Sequence, residues 1–274
     1  QTACESKAEI KSSEGRAVVY YKGGRLIFNC KTGELESYKL NGKELLNQIT
    51  LGNSRGFVPS VYRAPLDNDM YLKRIWSKDG LPYLSTSKSK SSYKQNGDCV
   101  DITTVYKLRT ATFSNAGHLK VLLSINGNGE IAVSYKFSCL TVKMPPRLGL
   151  AFEMPKEFKN IVKVLAEKQH VTMSEEELLA EANKWELSHG GISGRTAQQF
   201  INYIKPQESE MRYSTYWAEI TDDDGMGIKV ESDNSFVFSA HHYNPEQCAK
   251  ATHNEDLLDY DTTFIGIDGY MFGA

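Results

Sequence analysis

Short runs rich in Val, Ile, Thr, Tyr and Phe recur along this chain, each ending at a cluster of Gly, Asn, Asp or Ser. The runs at 16–21, 25–30, 100–108, 119–125 and 130–137 read as strands, because β-branched and aromatic side chains suit a pleated, half-buried surface. The breaks between them carry turn chemistry. Gly23-Gly24 separates the first pair and Asn126-Gly127-Asn128-Gly129 the last, and both supply residues that tolerate positive φ, so each pair is predicted to be a hairpin. The stretch 31–38 continues the theme up to a turn at Asn41-Gly42, and Asp222-Asp223-Asp224-Gly225 joins 216–221 to 227–231, where apolar residues alternate. Many short strands joined by tight turns give an antiparallel, all-β fold, either sandwich or barrel.

At 274 residues the chain can bury a substantial core, and residues 1–274 read as a single domain with no internal repeat. The Ser/Lys-rich stretch 85–94 resembles a linker, but strand patterning resumes directly after it, so an exposed loop or hairpin tip is expected. A net charge of −2 gives no basic footprint for nucleic acid and no polybasic anchor for a membrane, and neither is expected as a partner. No apolar run is long enough for a transmembrane helix, and no signal peptide is visible. The five cysteines are scattered and never spaced as CxxC, which argues for buried free thiols rather than a zinc site or disulfide framework.

One segment breaks the strand pattern. Ser174 and Glu177 form a capping box, and Leu178, Ala182 and Trp185 fall on one helical face, so a short helix is predicted over 174–187.

Longer motifs carry a family resemblance. Val61-Tyr62-Arg63-Ala64-Pro65-Leu66-Asp67-Asn68-Asp69 resembles a signature of the large bacterial β-galactosidases of glycoside hydrolase family 2. Pro146-Arg147-Leu148-Gly149, Tyr203-Ile204-Lys205-Pro206-Gln207-Glu208 with Arg212, and Phe238-Ser239-Ala240-His241-His242-Tyr243 with Pro245-Glu246 resemble further blocks. Ala251-Thr252-His253 and Ile267-Asp268-Gly269-Tyr270-Met271 complete the series in family order. The resemblance implies the family's last domain, a large antiparallel β-sandwich (a supersandwich, galactose-mutarotase-like). Both catalytic carboxylates of such enzymes sit in an upstream TIM barrel that this chain lacks. The chain is therefore expected to be a non-catalytic part of an enzyme that hydrolyses terminal β-D-galactosides with retention. Its expected partners are the upstream domains, the galactoside, and further copies through the parent. No cofactor is implied, and the metal ions held near the family's barrel have no transferable ligands here. The compartment is left open between bacterial cytoplasm and periplasm.

The sequence departs from the family in two places. Between Val164 and Arg195 the family's tyrosine-glycine-x-glycine-proline-x-glutamate signature is missing, either because a helix replaces one crossover or because the reading frame was disturbed and recovered. At the other, the run 267–271 is not followed by the family's Gly-rich turn, aspartate, sugar-packing tryptophan and closing strands, so an unpaired edge is expected.

Retaining glycoside hydrolysis needs two carboxyl groups about 5 Å apart on opposite sides of a sugar. Asp67 and Asp69 are a poor fit, being two residues apart on one turn, where Arg63, Asp67 and Asn68 suit a charge-assisted, Asx-type turn. No catalytic residue is assigned. The resemblance instead makes Arg63, Asp67, Asn68, Asp69 and Trp76 candidates for the rim of the sugar site. A stand-alone carbohydrate-binding module is an alternative, and so is an aldose-epimerase-like enzyme pairing His241 or His242 with Glu153 or Glu219. Adjacent His residues on a strand face opposite ways, so no shared metal site is expected. Asp222-Asp223-Asp224-Gly225 lacks the spaced ligands of a calcium loop and reads as a solvated turn.

Overall fold

The computed structural model describes residues 6–47, 56–165, 194–195, 204–208, 211–243, 245–257 and 262–272. The helix expected over 174–187 lies outside them. The chain is all-β and antiparallel, and it divides into two compact units, residues 1–59 with 71–145 and residues 60–70 with 146–274. Among the described residues no helix is long and apolar enough to cross a membrane.

The first unit is a two-layer sandwich. One sheet runs in chain order through β1 (Glu9–Ser13), β2 (Arg16–Tyr21), β3 (Gly24–Asn29), β4 (Glu34–Leu40) and β5 (Lys43–Glu44). After the short strand β6 (Val58–Ser60), helix α1 (Met70–Lys78) leads into the second sheet, built from β7 (Ser85–Asn96), β8 (Cys99–Arg109), β9 (Gly117–Ile125) and β10 (Ile131–Ser138). The turns explain the meander. Asn41 and Gly42 take φ of +49° and +83°, the double-positive geometry that matches the twist of a tight hairpin. Alternation fixes the core: β9 buries Leu119, Val121, Leu123 and Ile125, and Phe28, Leu35, Val121 and Leu123 line one small cavity between the sheets. Each such side chain contributes about 1.5–3 kcal/mol on full burial. Tyr38 donates to the Gly129 carbonyl at 2.8 Å and Tyr106 to that of Gly33 at 2.5 Å, pinning the layers.

The stretch 85–94, expected as a loop, is strand β7, paired with β8 along its length. The reason is its position: an edge strand tolerates Ser and Lys on the open side, so a polar composition does not exclude strand.

The second unit carries β11 (Arg147–Pro155), β12 (Asn160–Leu165), β13 (Gly194–Arg195), β14 (Arg212–Thr221), β15 (Gly227–His241) and β16 (Thr262–Met271), with helix α2 (Pro245–Lys250) between the last two. Its sheet has the order β13-β12-β14-β15-β16-β11-β6. The final strand β16 is thus enclosed by β15 and β11, and register sorts their side chains. Phe152, Ile265 and Ala240 align across the three strands, and this face is apolar. Glu153, Phe264 and His241 align on the opposite face, with Ala151, Gly266 and Ser239 in the next same-face row. Nearly all of these residues are buried, so one face of the sheet carries polar groups out of water.

Candidate functional site

The motifs that carry the family resemblance all fall in the second unit. The Arg63 guanidinium is fully buried and binds Asp69 through both nitrogens, Nη1 to Oδ2 at 2.6 Å and Nη2 to Oδ1 at 3.2 Å. Asp69 Oδ2 also accepts the Leu66 N–H at 2.7 Å, so the carboxylate closes the one-turn 3-10 helix Asp67–Asp69. Arg63 Nη2 further donates to the Phe272 carbonyl at 3.1 Å. The segment 206–208 holds the loop from another side. Gln207 Oε1 accepts the Asp67 N–H at 3.1 Å, and Glu208 Oε2 accepts the Ala64 N–H at 3.3 Å.

The other Glu208 oxygen accepts from Arg147 Nη1 at 3.3 Å, which ties the loop to the polar face of the sheet. Arg147 donates Nε–H to Asp268 at 3.0 Å, binds it again through Nη2, and reaches Ser239 Oγ at 3.3 Å. Burial works against its charge, but Asp268 and Glu208 outweigh that and hold the guanidinium above its ordinary pKa. Gly266 makes room for it: a Cβ there would sit 2.4 Å from Arg147 Nη2. Buried ions survive only when paired and hydrogen-bonded, and each of these groups is.

The clamp presents two side chains outward. Asp67 and Asn68 are exposed at the tip of the turn, whereas Arg63 and Asp69 are spent in the ion pair beneath them. Trp76 lies on α1 in the first unit, fully buried, its indole N–H donating to the Met144 carbonyl at 2.9 Å, so it has no free face.

The epimerase-like candidates separate. His241 and Glu153 share a face and flank Phe264 in register, a span of about 10 Å between backbones two strands apart. His242 bonds through Nδ1 to the Thr262 carbonyl at 3.0 Å, and Glu219 stands on β14 opposite Lys229. Burial, reinforced by Arg147, Arg212 and His242, pulls the His241 imidazole down to about 3. An imidazole at that value is neutral at neutral pH and lacks the second proton that an imidazolium general acid gives up. Asp222 spends Oδ1 on the N–H groups of Asp224 and Met226, both at 2.9 Å, so it closes its hairpin turn.

Sequence reasoning on individual site residues passed over Arg147, Gln207, Glu208, Ser239 and Asp268. The signal was present: Arg147 opens the apolar run 148–152 and Asp268 interrupts the run 264–272, and a lone charge in such a setting marks a buried partner.

Fold and network together define an antiparallel β-sandwich protein in which the signature motifs clamp one surface turn. Residues 21–163 and 188–273 match the beta galactosidase small chain family, and the chain belongs to it. A family described only as a protein of unknown function (DUF815) also matches residues 142–208. Similar curated proteins are the beta-galactosidases of Staphylococcus xylosus, 26% identical over 94% of this chain, and of Streptococcus thermophilus, 27% identical over 98%. That of Actinobacillus pleuropneumoniae is 23% identical over 78%. The chain spans about a quarter or less of each relative's length: 24%, 25% and 20% in that order.

Proposed function

We propose that this chain is a non-catalytic part of a β-galactosidase of glycoside hydrolase family 2, shaping the rim of a sugar site whose catalytic carboxylates are supplied by upstream domains. In this reading the assembled enzyme cleaves terminal β-D-galactosides by the two-step retaining route. Asp67 and Asn68 meet the galactoside or the barrel mouth, while Arg63 and Asp69 hold the turn that carries them. Trp76, buried in the first unit, anchors α1 through Met144. The observation that carries the reading is the buried clamp of Arg63, Asp69, Gln207 and Glu208 around a turn with an exposed polar tip. A preorganised turn presents its side chains at little cost in ordering on binding.

The test is hydrolysis of a chromogenic β-galactoside by the purified chain, alone and mixed with the upstream portion of its parent. Activity only in the mixture supports the reading, and turnover by the chain alone overturns it. Saturable sugar binding by the chain alone, without turnover, would favour a carbohydrate-binding module instead.

A further inference from the structure

The four-stranded sheet of the first unit has two edges, and they are built differently. The β7 edge carries Lys88, Lys90 and Lys94 in its sequence and a register shift between Lys88 and Lys90. Lysines and bulges are the means by which exposed edges resist pairing. The β10 edge has neither defence in strength: its sequence, Ile-Ala-Val-Ser-Tyr-Lys-Phe-Ser, holds one lysine and no proline, and its register with β9 is unbroken. Among the described residues, no strand lies on its outer side.

Alternation gives β10 an apolar face of Ile131, Val133, Tyr135 and Phe137 and a polar face of Ala132, Ser134, Lys136 and Ser138. The apolar set stands opposite Ile125, Leu123, Val121 and Leu119, all buried. On β10 the same face is incompletely covered: Val133 is 38% exposed and the other three are half-buried. Under β8 and β9, Phe28 and Leu35 of the facing sheet line a small cavity with Thr104, Tyr106, Val121 and Leu123.

We propose that β10 is a homotypic interface, on which a second copy of this chain pairs its own β10 antiparallel about a two-fold axis through Ser134. The strand is self-complementary in that register. Ile131 meets Phe137 of the second copy and Val133 meets its Tyr135, so the apolar faces join. Ala132 meets Lys136, so no two lysines stand directly opposed. A slip by one residue would set the apolar face of one copy beside the polar face of the other, and among the registers that keep the faces joined the one centred on Ser134 pairs all four apolar residues. The contact is isologous and uses up both β10 edges, and the lysine-bearing β7 edges end the sheet, so assembly closes at the dimer.

The experiment uses the full 274-residue chain. Sedimentation velocity over a concentration series is expected to show a monomer–dimer equilibrium, which Val133→Lys shifts to monomer without lowering the thermal transition. In a Cys139→Ser background, Ser134→Cys brings two thiols directly opposite, about 4.5–5.5 Å between backbones and within disulfide reach. Ala132→Cys leaves its thiols about 14 Å apart. Mild oxidation should therefore cross-link the Ser134→Cys chain and spare the other. A monomer at every concentration, a dimer indifferent to Val133→Lys, or equal cross-linking at both positions would overturn the proposal. So would a Val133→Lys chain that self-associates normally but no longer binds the upstream portion. The complementation assay is a separate measurement and stands whichever way this one falls.

Discussion

Arg147 and Asp268 are 121 residues apart in the chain, fully buried, and joined through Nε at 3.0 Å and through a second nitrogen. Such a pair is weak evidence for stability, because desolvating two charges costs about as much as their attraction returns. What it fixes is arrangement. Glu208 bonds Arg147 through one oxygen and Ala64 through the other, so the ion network ties the sheet to the surface turn.

Removing one partner should be far worse than removing the pair. Arg147→Ala leaves Asp268 and Glu208 buried without their cation and is expected to cost about 3–5 kcal/mol. Arg147→Met combined with Asp268→Leu and Glu208→Gln should recover most of that loss. Urea unfolding of the single and triple variants measures the difference, and equal losses would show that charge pairing is not the cause.

Gly266→Ala tests how closely the guanidinium lies on the sheet. The added methyl would meet Arg147 Nη2 at 2.4 Å and Ser239 Oγ at 2.5 Å, both held by other bonds. Overpacking of this kind costs about 1–3 kcal/mol, read as a lower thermal midpoint. Gly42→Ala has no neighbour to strike within 4 Å, so its penalty comes from the positive φ alone.

Asp67 and Asn68 should separate function from folding. Both are exposed, and the Asp67 contact to Gln207 runs through its backbone, which alanine keeps. Asp67→Ala and Asn68→Ala are expected to hold stability within about 0.5 kcal/mol. In the reconstituted enzyme each should lower kcat/KM about tenfold, some 1.4 kcal/mol of transition-state binding. Arg63→Ala should lose both properties at once.

Much of the fold was visible in turn chemistry and alternation. Asn41-Gly42 and Asp222-Asp223-Asp224-Gly225 sit at the expected hairpins, and 16–21 is a strand end to end. The failure at 85–94 has a physical cause, since an edge strand needs an apolar face less than a central one and its Ser/Lys content imitates a loop. The site was half readable. Its motifs stood out as strings, but Glu208 lies outside any strand and meets Arg147 only through tertiary packing, which periodicity within one segment does not encode.

His241 gives stability a dependence on pH. Unfolded, its imidazole titrates near 6.5, whereas in the fold burial, then Arg147, Arg212 and His242, bring it to about 3. Phe264 stands beside it and Glu153 beyond, on the same face of the sheet. Between pH 6.5 and 3 the unfolded chain takes up a proton that the folded chain refuses. Its contribution is therefore complete above about pH 6.5 and is lost as pH falls, with a slope of at most about 1.4 kcal/mol per pH unit. Chemical denaturation of the wild type and of His241→Gln at pH 7, 6, 5 and 4 measures that slope. The variant should be flatter by up to one proton's worth across the window, while parallel curves would mean that His241 is already solvated and titrating normally in the folded protein.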